Sequence, residues 1–195
     1  DNSRIKSSLP TIRKLISDGA KVVLMSHLGR PKGVDKNLSL RHVVSEVEKH
    51  LNSQVLFSEE SVGEIPLSKI KSLNNGGVLL LENLRFHEEE SLGDLAFSKN
   101  LASLADVYVN DAFGTAHRNH SSTSIVPQFF PNKRYCGLLL KKEVDSIKKI
   151  MDNPKKPLTA IIGGSKISTK IDVIYSLLPK VDNLIMGGAM VYTFI

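Results

Sequence analysis

Three arginines and two histidines carry the clearest chemical signal in this 195-residue chain. His27 and Arg30 follow the apolar run Val22–Met25, Arg85 follows Val78–Leu81, and Arg118 and His120 follow Asp106–Val109. The first two are continuous apolar runs of the kind buried on both faces of a parallel sheet, and all three runs read as strands that give way to a turn or loop. In open α/β sheets, ligands bind beyond the carboxyl ends of the strands. His27, Arg30, Arg85 and Arg118 would therefore converge on one site. Guanidinium forks take phosphate and carboxylate through paired N–H groups, so the expected chemistry is capture of an acidic small molecule. Each arginine taken singly also suits a solvated surface loop; their recurrence at equivalent strand ends favours a shared site.

A second pattern lies near the end of the chain. Ile161 and Ile162 run into Gly163, Gly164, Ser165 and Lys166, and a helix is expected from Ser168, which puts Lys170 in its first turn. A cation there opposes the helix dipole unless an anion binds. Gly187 and Gly188 follow the next apolar run, and paired glycines let backbone approach a flat ligand. The plainer alternatives are a lysine bent into solvent and a tight turn. Neither GxxxxGK[ST] nor GxGxxG occurs, which argues against a Walker-type nucleotide loop and a dinucleotide fingerprint. His117 and His120 have metal-compatible spacing but no third ligand nearby in sequence. His87 and Glu88–Glu90 read as a solvated helix start.

The elements that position these residues alternate. A helix is expected over Leu9–Ser17 with Pro10 in its first turn and Gly19 closing it. The strand Val22–Met25 follows. Ser39 caps a helix with apolar positions Leu40, Val43, Val44, Val47 and Leu51. Then come a strand at Gln54–Phe57, a turn at Asn74–Gly77, the strand Val78–Leu81, a helix over Leu92–Leu104 and the strand Asp106–Val109. Leu140–Met151 is amphipathic and ends at Asp152, Asn153 and Pro154. Beyond it, a strand at Leu158–Ile162, a helix to Leu178 and a strand at Asn183–Met186 begin a second βαβ sheet. The alternation predicts an α/β fold of right-handed βαβ units with parallel sheets flanked by helices. The expected division is 1–139, an interdomain helix at 140–153, and 154–195.

The composition is that of a globular chain, 41% hydrophobic and 24% charged. The net charge of +6 favours acidic partners. Aromatics are only 6% with no Trp, thin for a single-strand stacking platform, and no nucleic-acid motif appears, so no nucleic-acid partner is expected. Cys136 stands alone, which suits a reducing compartment. No apolar run approaches a membrane span. The chain opens without Met, which leaves a removed or missing leader open, and it closes on the apolar run 190–195, which reads as a truncated element.

Six segments, RIKSSLPTIRKL, SHLGRPKG, LLENLRFHEEE, DVYVNDAFGTAHRNHSS, GGSKIS and GGAMVYTF, occur in this order. Together they resemble phosphoglycerate kinase, and the resemblance covers essentially the whole chain. It implies two Rossmann-like domains, the second truncated here, and reversible phosphoryl transfer between 1,3-bisphosphoglycerate and ADP to give 3-phosphoglycerate and ATP. By motif it puts Arg4 against the transferring phosphoryl and the substrate carboxylate. His27, Leu28, Gly29, Arg30, Arg85, Arg118 and His120 fall to the glycerate. Gly164, Ser165, Lys166, Lys170, Gly187 and Gly188 fall to the nucleotide, with Lys166 paired with Arg4 in catalysis. Magnesium is implied as a companion of the nucleotide. The resemblance also implies a monomeric, cytoplasmic enzyme that closes about the Leu140–Met151 helix, with further binding segments before residue 1 and after residue 195. On that basis the chain alone is expected to be an incomplete and inactive portion. Ser165, Thr169 and Ala189 stand where the family commonly has Ala, Asp and Gly.

Overall fold

In a computed structural model, residues 2–164, 168 and 170–193 are described. The chain divides into two compact units, Asp1–Lys142 and Glu143–Ile195. The first is built on three parallel strands, β1 (Val22–Leu24), β2 (Val55–Ser58) and β3 (Val78–Leu81), in the order β1-β3-β2. β3 is the central strand because every one of its four residues is apolar and buried. Its alternation feeds two cores. Val78 and Leu80 join Val22, Val55, Leu40 and Val47, covered by helices α1 (Ser3–Ser17) and α2 (Val44–Leu51). Leu79 and Leu81 face the other way, toward Phe97, Leu101, Tyr108 and Val126. Helices α3 (Glu64–Ser72) and α5 (Leu95–Ala102) cover that side, the former through Leu67 and Ile70. Two further strands, β4 (Tyr108–Asn110) and β5 (Arg134–Cys136), form a separate parallel pair.

The expected α/β architecture is present, with particular departures. α1 begins at Ser3, six residues earlier than expected, so Pro10 sits inside it. The missing Pro10 N–H leaves the Lys6 carbonyl as the one that would have accepted it. The expected Ser39 cap is formed: its side chain accepts from Arg41 N at 3.1 Å, but the turn it opens, Leu40–Val43, is 3₁₀ before α2 takes over. The expected helix over Leu92–Leu104 is two helices. α4 (Glu88–Leu92) ends at Gly93 in the left-handed region (φ 70°), and Asp94 caps α5 by accepting from Phe97 N at 2.7 Å. The acidic run that opens α4 is not wholly solvated, because Glu90 is buried. Strand β5 and helix α3 have no counterpart in the sequence reading.

Helix α6 (Leu138–Asp152) starts in the first unit, and its first turn is capped from distant segments. Leu138 N donates to Thr11 Oγ1 at 2.9 Å and Leu140 N to Asp111 Oδ1 at 3.0 Å. These bonds satisfy N–H groups that have no partner within the helix. A Cβ at Gly137 would collide with the Asp111 carboxylate, so the approach requires glycine there.

In the second unit, β6 (Thr159–Gly163) and β7 (Asn183–Gly187) pair in parallel and are joined through α7 (Ile171–Leu177), one βαβ unit. Ile162, Ile174 and Met190 form its small core. α7 starts three residues later than expected, so Lys170 precedes the first turn instead of lying within it. No helix among the described residues is long and apolar enough to cross a membrane.

Leu79 is fully buried at the centre of β3. Leu79→Ala removes contacts on a face that cannot collapse without moving the sheet, and is expected to cost about 2–5 kcal/mol. A fall in the urea midpoint with unchanged slope checks this.

Candidate anion-binding site

The loop after β1 and the loop after β3 are stitched to each other by polar groups. Asn83, at the end of β3, is wholly buried, and its side-chain amide donates to Leu28 O and Leu38 O, each at 2.8 Å. Its Oδ1 accepts from Arg85 N at 3.1 Å. Leu84 N donates to Ser26 O at 3.1 Å. Glu82 Oε1 accepts from Asn83 N at 2.7 Å and Leu40 N at 2.8 Å, and Oε2 accepts from Ser39 Oγ at 2.6 Å. Every one of these is a group that would be costly to bury unpaired. Leu28 and Gly29 contribute backbone: the Arg85 guanidinium donates through Nη1 to Gly29 O at 2.7 Å. Gly29 has φ +65°, and a Cβ there would stand 2.9 Å from the Leu38 side chain. The loop therefore needs glycine for its conformation, and a Cβ would also push the end of the Leu38 side chain aside.

The third segment runs from Asn110 to His120. Asn110 Oδ1 accepts from Ala112 N at 2.9 Å, and a 3₁₀ turn over Phe113–Thr115 follows. Arg118 O accepts from Thr123 Oγ1 at 2.8 Å. A single π-helical turn, Ser121–Ile125, then returns the chain to the core, with Ser121 buried and bonded to Glu89 O at 2.8 Å.

Electrostatic coupling shows that these loops share one neighbourhood. Burial is the main cause that lowers the His27 pKa from 6.5 to about 4; Arg85, His120, Arg118 and Arg4 add to it. Arg85 is lowered by burial and then by Arg118 and Arg30. His120 is lowered by burial, Arg85, Arg118 and His117. Of the residues expected at this site, Arg4, His27, Arg30, Arg85, Arg118 and His120 are thus brought together. Arg4 is exposed in the first turn of α1, where the helix dipole disfavours a cation. The cluster is a concentration of like charge on a partly desolvated floor, which an anion with several oxygens would relieve.

In the second unit, Gly163 and Gly187 are in register across β6 and β7. Gly188 (φ +74°) packs against the Gly164 backbone, and a Cβ built on it would stand 3.1 Å from Gly164 O. Met190 N donates to Gly164 O at 3.1 Å. The Lys170 ammonium lies over Gly164, 2.5 Å from where a Cβ would be. Gly164, Lys170, Gly187 and Gly188 are therefore neighbours. Ser165 and Lys166 lie outside the described residues. The sequence reading missed Glu82, Asn83 and Glu90 as parts of the first site. For Glu82 and Asn83 a signal exists, two polar residues immediately following a strand that has none; for Glu90 the charged run around it hides the signal.

The family model described as Phosphoglycerate kinase matches residues 1–195. Among curated relatives, the chain is 52% identical over 194 residues to "Phosphoglycerate kinase, cytosolic" of Triticum aestivum, covering 100% of this chain and 48% of that protein. It is 51% identical over 194 residues to "Phosphoglycerate kinase 1, chloroplastic" of Arabidopsis thaliana, covering 100% of this chain and 40% of that one. The solved phosphoglycerate kinase structure from Coxiella burnetii superposes with a TM-score of 0.84 at 40% identity, over 100% of this chain and 48% of the other. The chain spans about half the length of the curated relatives it matches.

With a folded pKa of about 4 against 6.5 for a free imidazole, His27 is neutral near pH 7. The unfolded chain takes up a proton at His27 first as pH falls. Wild type is therefore expected to lose stability relative to His27→Gln between about pH 6.5 and 4, with a constant difference above that window. Urea midpoints across that range, with the ring titration followed by NMR, measure it.

Proposed function

The chain belongs to the phosphoglycerate kinase family, and we propose that it carries the glycerate-binding part of an enzyme of that activity. In this reading a phosphoryl group moves reversibly between 1,3-bisphosphoglycerate and ADP, giving 3-phosphoglycerate and ATP. The observation that carries the reading is the convergence of Arg30, Arg85 and Arg118 with His27 and His120, coupled to one another at the loops after β1, β3 and β4.

The chemistry explains the residue types. The acceptor is a carboxylate, already ionised and nucleophilic at neutral pH, so no general base is needed. The demand is neutralisation and in-line placement of two polyanions. Arg30, Arg85 and Arg118 anchor the remote phosphate, with His27 neutral among them as a donor that adds no further positive charge. Leu28 and Gly29 set the loop, His120 lines it, and Arg4 reaches the substrate carboxylate and the moving phosphoryl. Lys166 is assigned the opposite side of that phosphoryl, and Gly164, Ser165, Lys170, Gly187 and Gly188 the nucleotide. Lys170 and the Gly164 backbone form a donor set that fits phosphate oxygens. Magnesium is thus assigned to the nucleotide, as part of the Mg–ATP substrate.

A cytoplasmic, monomeric enzyme remains the proposed setting; Cys136 unpaired by any intrachain partner fits a reducing compartment. Residues 1–195 alone are expected to bind 3-phosphoglycerate without turning over ATP. The test is made in the intact protein. Arg30→Ala is expected to raise the Kd for 3-phosphoglycerate at least about tenfold, the loss of one charged hydrogen-bonding group. Affinity for Mg–ATP should stay within about twofold. Unchanged 3-phosphoglycerate affinity in the variant would remove Arg30 from the site. A wild type whose binding is displaced by DNA and not by 3-phosphoglycerate would remove the reading altogether.

A further inference from the structure

Glu90 is a charged residue only 3% exposed, and it sits behind the cationic cluster. α4 presents it to the chain that returns from Arg118. Ser122 donates to it twice, through its backbone N to Oε2 at 3.0 Å and through its hydroxyl to Oε1 at 2.5 Å. His120 turns its Nδ1 edge toward the same oxygen, at 3.8 Å. The Tyr108 hydroxyl, from β4, donates to Ser122 O at 2.8 Å and so fixes the other side of Ser122. Arg85 is the further charge that couples to Glu90. Nothing in the core requires a carboxylate here. Replacing a buried charged group by apolar side chains is often neutral or stabilising, so its presence calls for another reason.

We infer that Glu90 is a positioning residue of the anion site: through Ser122 and His120 it holds the Arg118–His120 segment against Arg85. Without its charge, the segment carrying Arg118 faces the Arg85 guanidinium without the carboxylate that Arg85 couples to. Repulsion then favours its swinging away from the floor. A bound polyanion and Glu90 thus clamp the same segment from opposite sides. Burial raises the Glu90 pKa and the two Ser122 bonds oppose that rise. Both bonds from Ser122 are of the kind that a carboxylate accepts.

This inference rests on the proposed glycerate-binding role, and the experiment separates the two. In the intact protein, Glu90→Gln keeps the shape and removes the charge. Calorimetry should show 3-phosphoglycerate binding weakened about tenfold, the scale of a charged hydrogen-bonded contact, with Mg–ATP binding within about twofold of wild type. NMR of the His120 ring in the ligand-free protein should show its pKa rising, because a segment released from burial and from Arg85 loses the two largest causes that lower it, whereas loss of a neighbouring carboxylate without movement of the segment would lower it. Ser122→Ala, which removes one donor and leaves the carboxylate, should weaken 3-phosphoglycerate binding in the same direction by a smaller factor, and it decides the matter if Glu90→Gln does not fold. Glycerate affinity within about twofold of wild type in the folded variants, with His120 titrating as before or lower, overturns the inference. If wild type binds no 3-phosphoglycerate, the functional reading fails instead, and the His120 titration, which needs no substrate, still judges Glu90.

Discussion

Guanidinium groups gathered close together at the strand ends are the constraint on which the first unit depends. Arg85 is coupled to both Arg118 and Arg30, so folding assembles guanidinium groups that repel and seats His27 among them in its neutral form. Partial burial sharpens the repulsion, because less water screens it. Other contacts must offset this cost. They are the fully buried strand β3, whose two faces feed two cores, and the polar stitching at its end. Asn83 joins the loop after β1, the chain at Leu38 and Arg85 through one side chain, while Glu82 pins Ser39 and Leu40. The scaffold is rigid where the site is repulsive, which is the condition for preorganised anion binding.

The second unit uses backbone in place of arginines. Gly163, Gly164, Gly187 and Gly188 bring the ends of β6 and β7 close, with the Lys170 ammonium above them. A side chain at Gly188 would crowd the Gly164 backbone, and one at Gly164 would displace the Lys170 ammonium. The two units therefore present different answers to anionic ligands: forks of guanidinium on short loops in one, and glycine backbone with a lysine in the other.

Much of the first site was legible in the sequence, because fully apolar runs announce buried strands and charged residues directly after them announce the ligand-facing end. Val78–Leu81 is found over the same four residues in the structure. What was not legible has physical causes. α3 contains Pro66 and follows Gly63, so its sequence reads as a loop. β5 is exposed at all three residues and lacks the apolar signature of a strand. The helical spacing across Leu92–Leu104 continues through Gly93, where the backbone nevertheless turns left-handed and separates α4 from α5. Glu90 looked solvated because its neighbours Glu88 and Glu89 are exposed; only the tertiary return of Ser122 shows why it is inside. Residue types thus revealed the cations of the site, while the buried polar groups that hold them became visible only in three dimensions.

The most direct test of the account is an NMR titration of the chain with 3-phosphoglycerate, read at the backbone amides. The account predicts saturable one-to-one shifts, largest at Ser26–Arg30, at Asn83–Arg85 and at Arg118–Ser122. Shifts that fail to saturate, or that spread over the lysine-rich surface of α6 and leave those three segments unmoved, would contradict it.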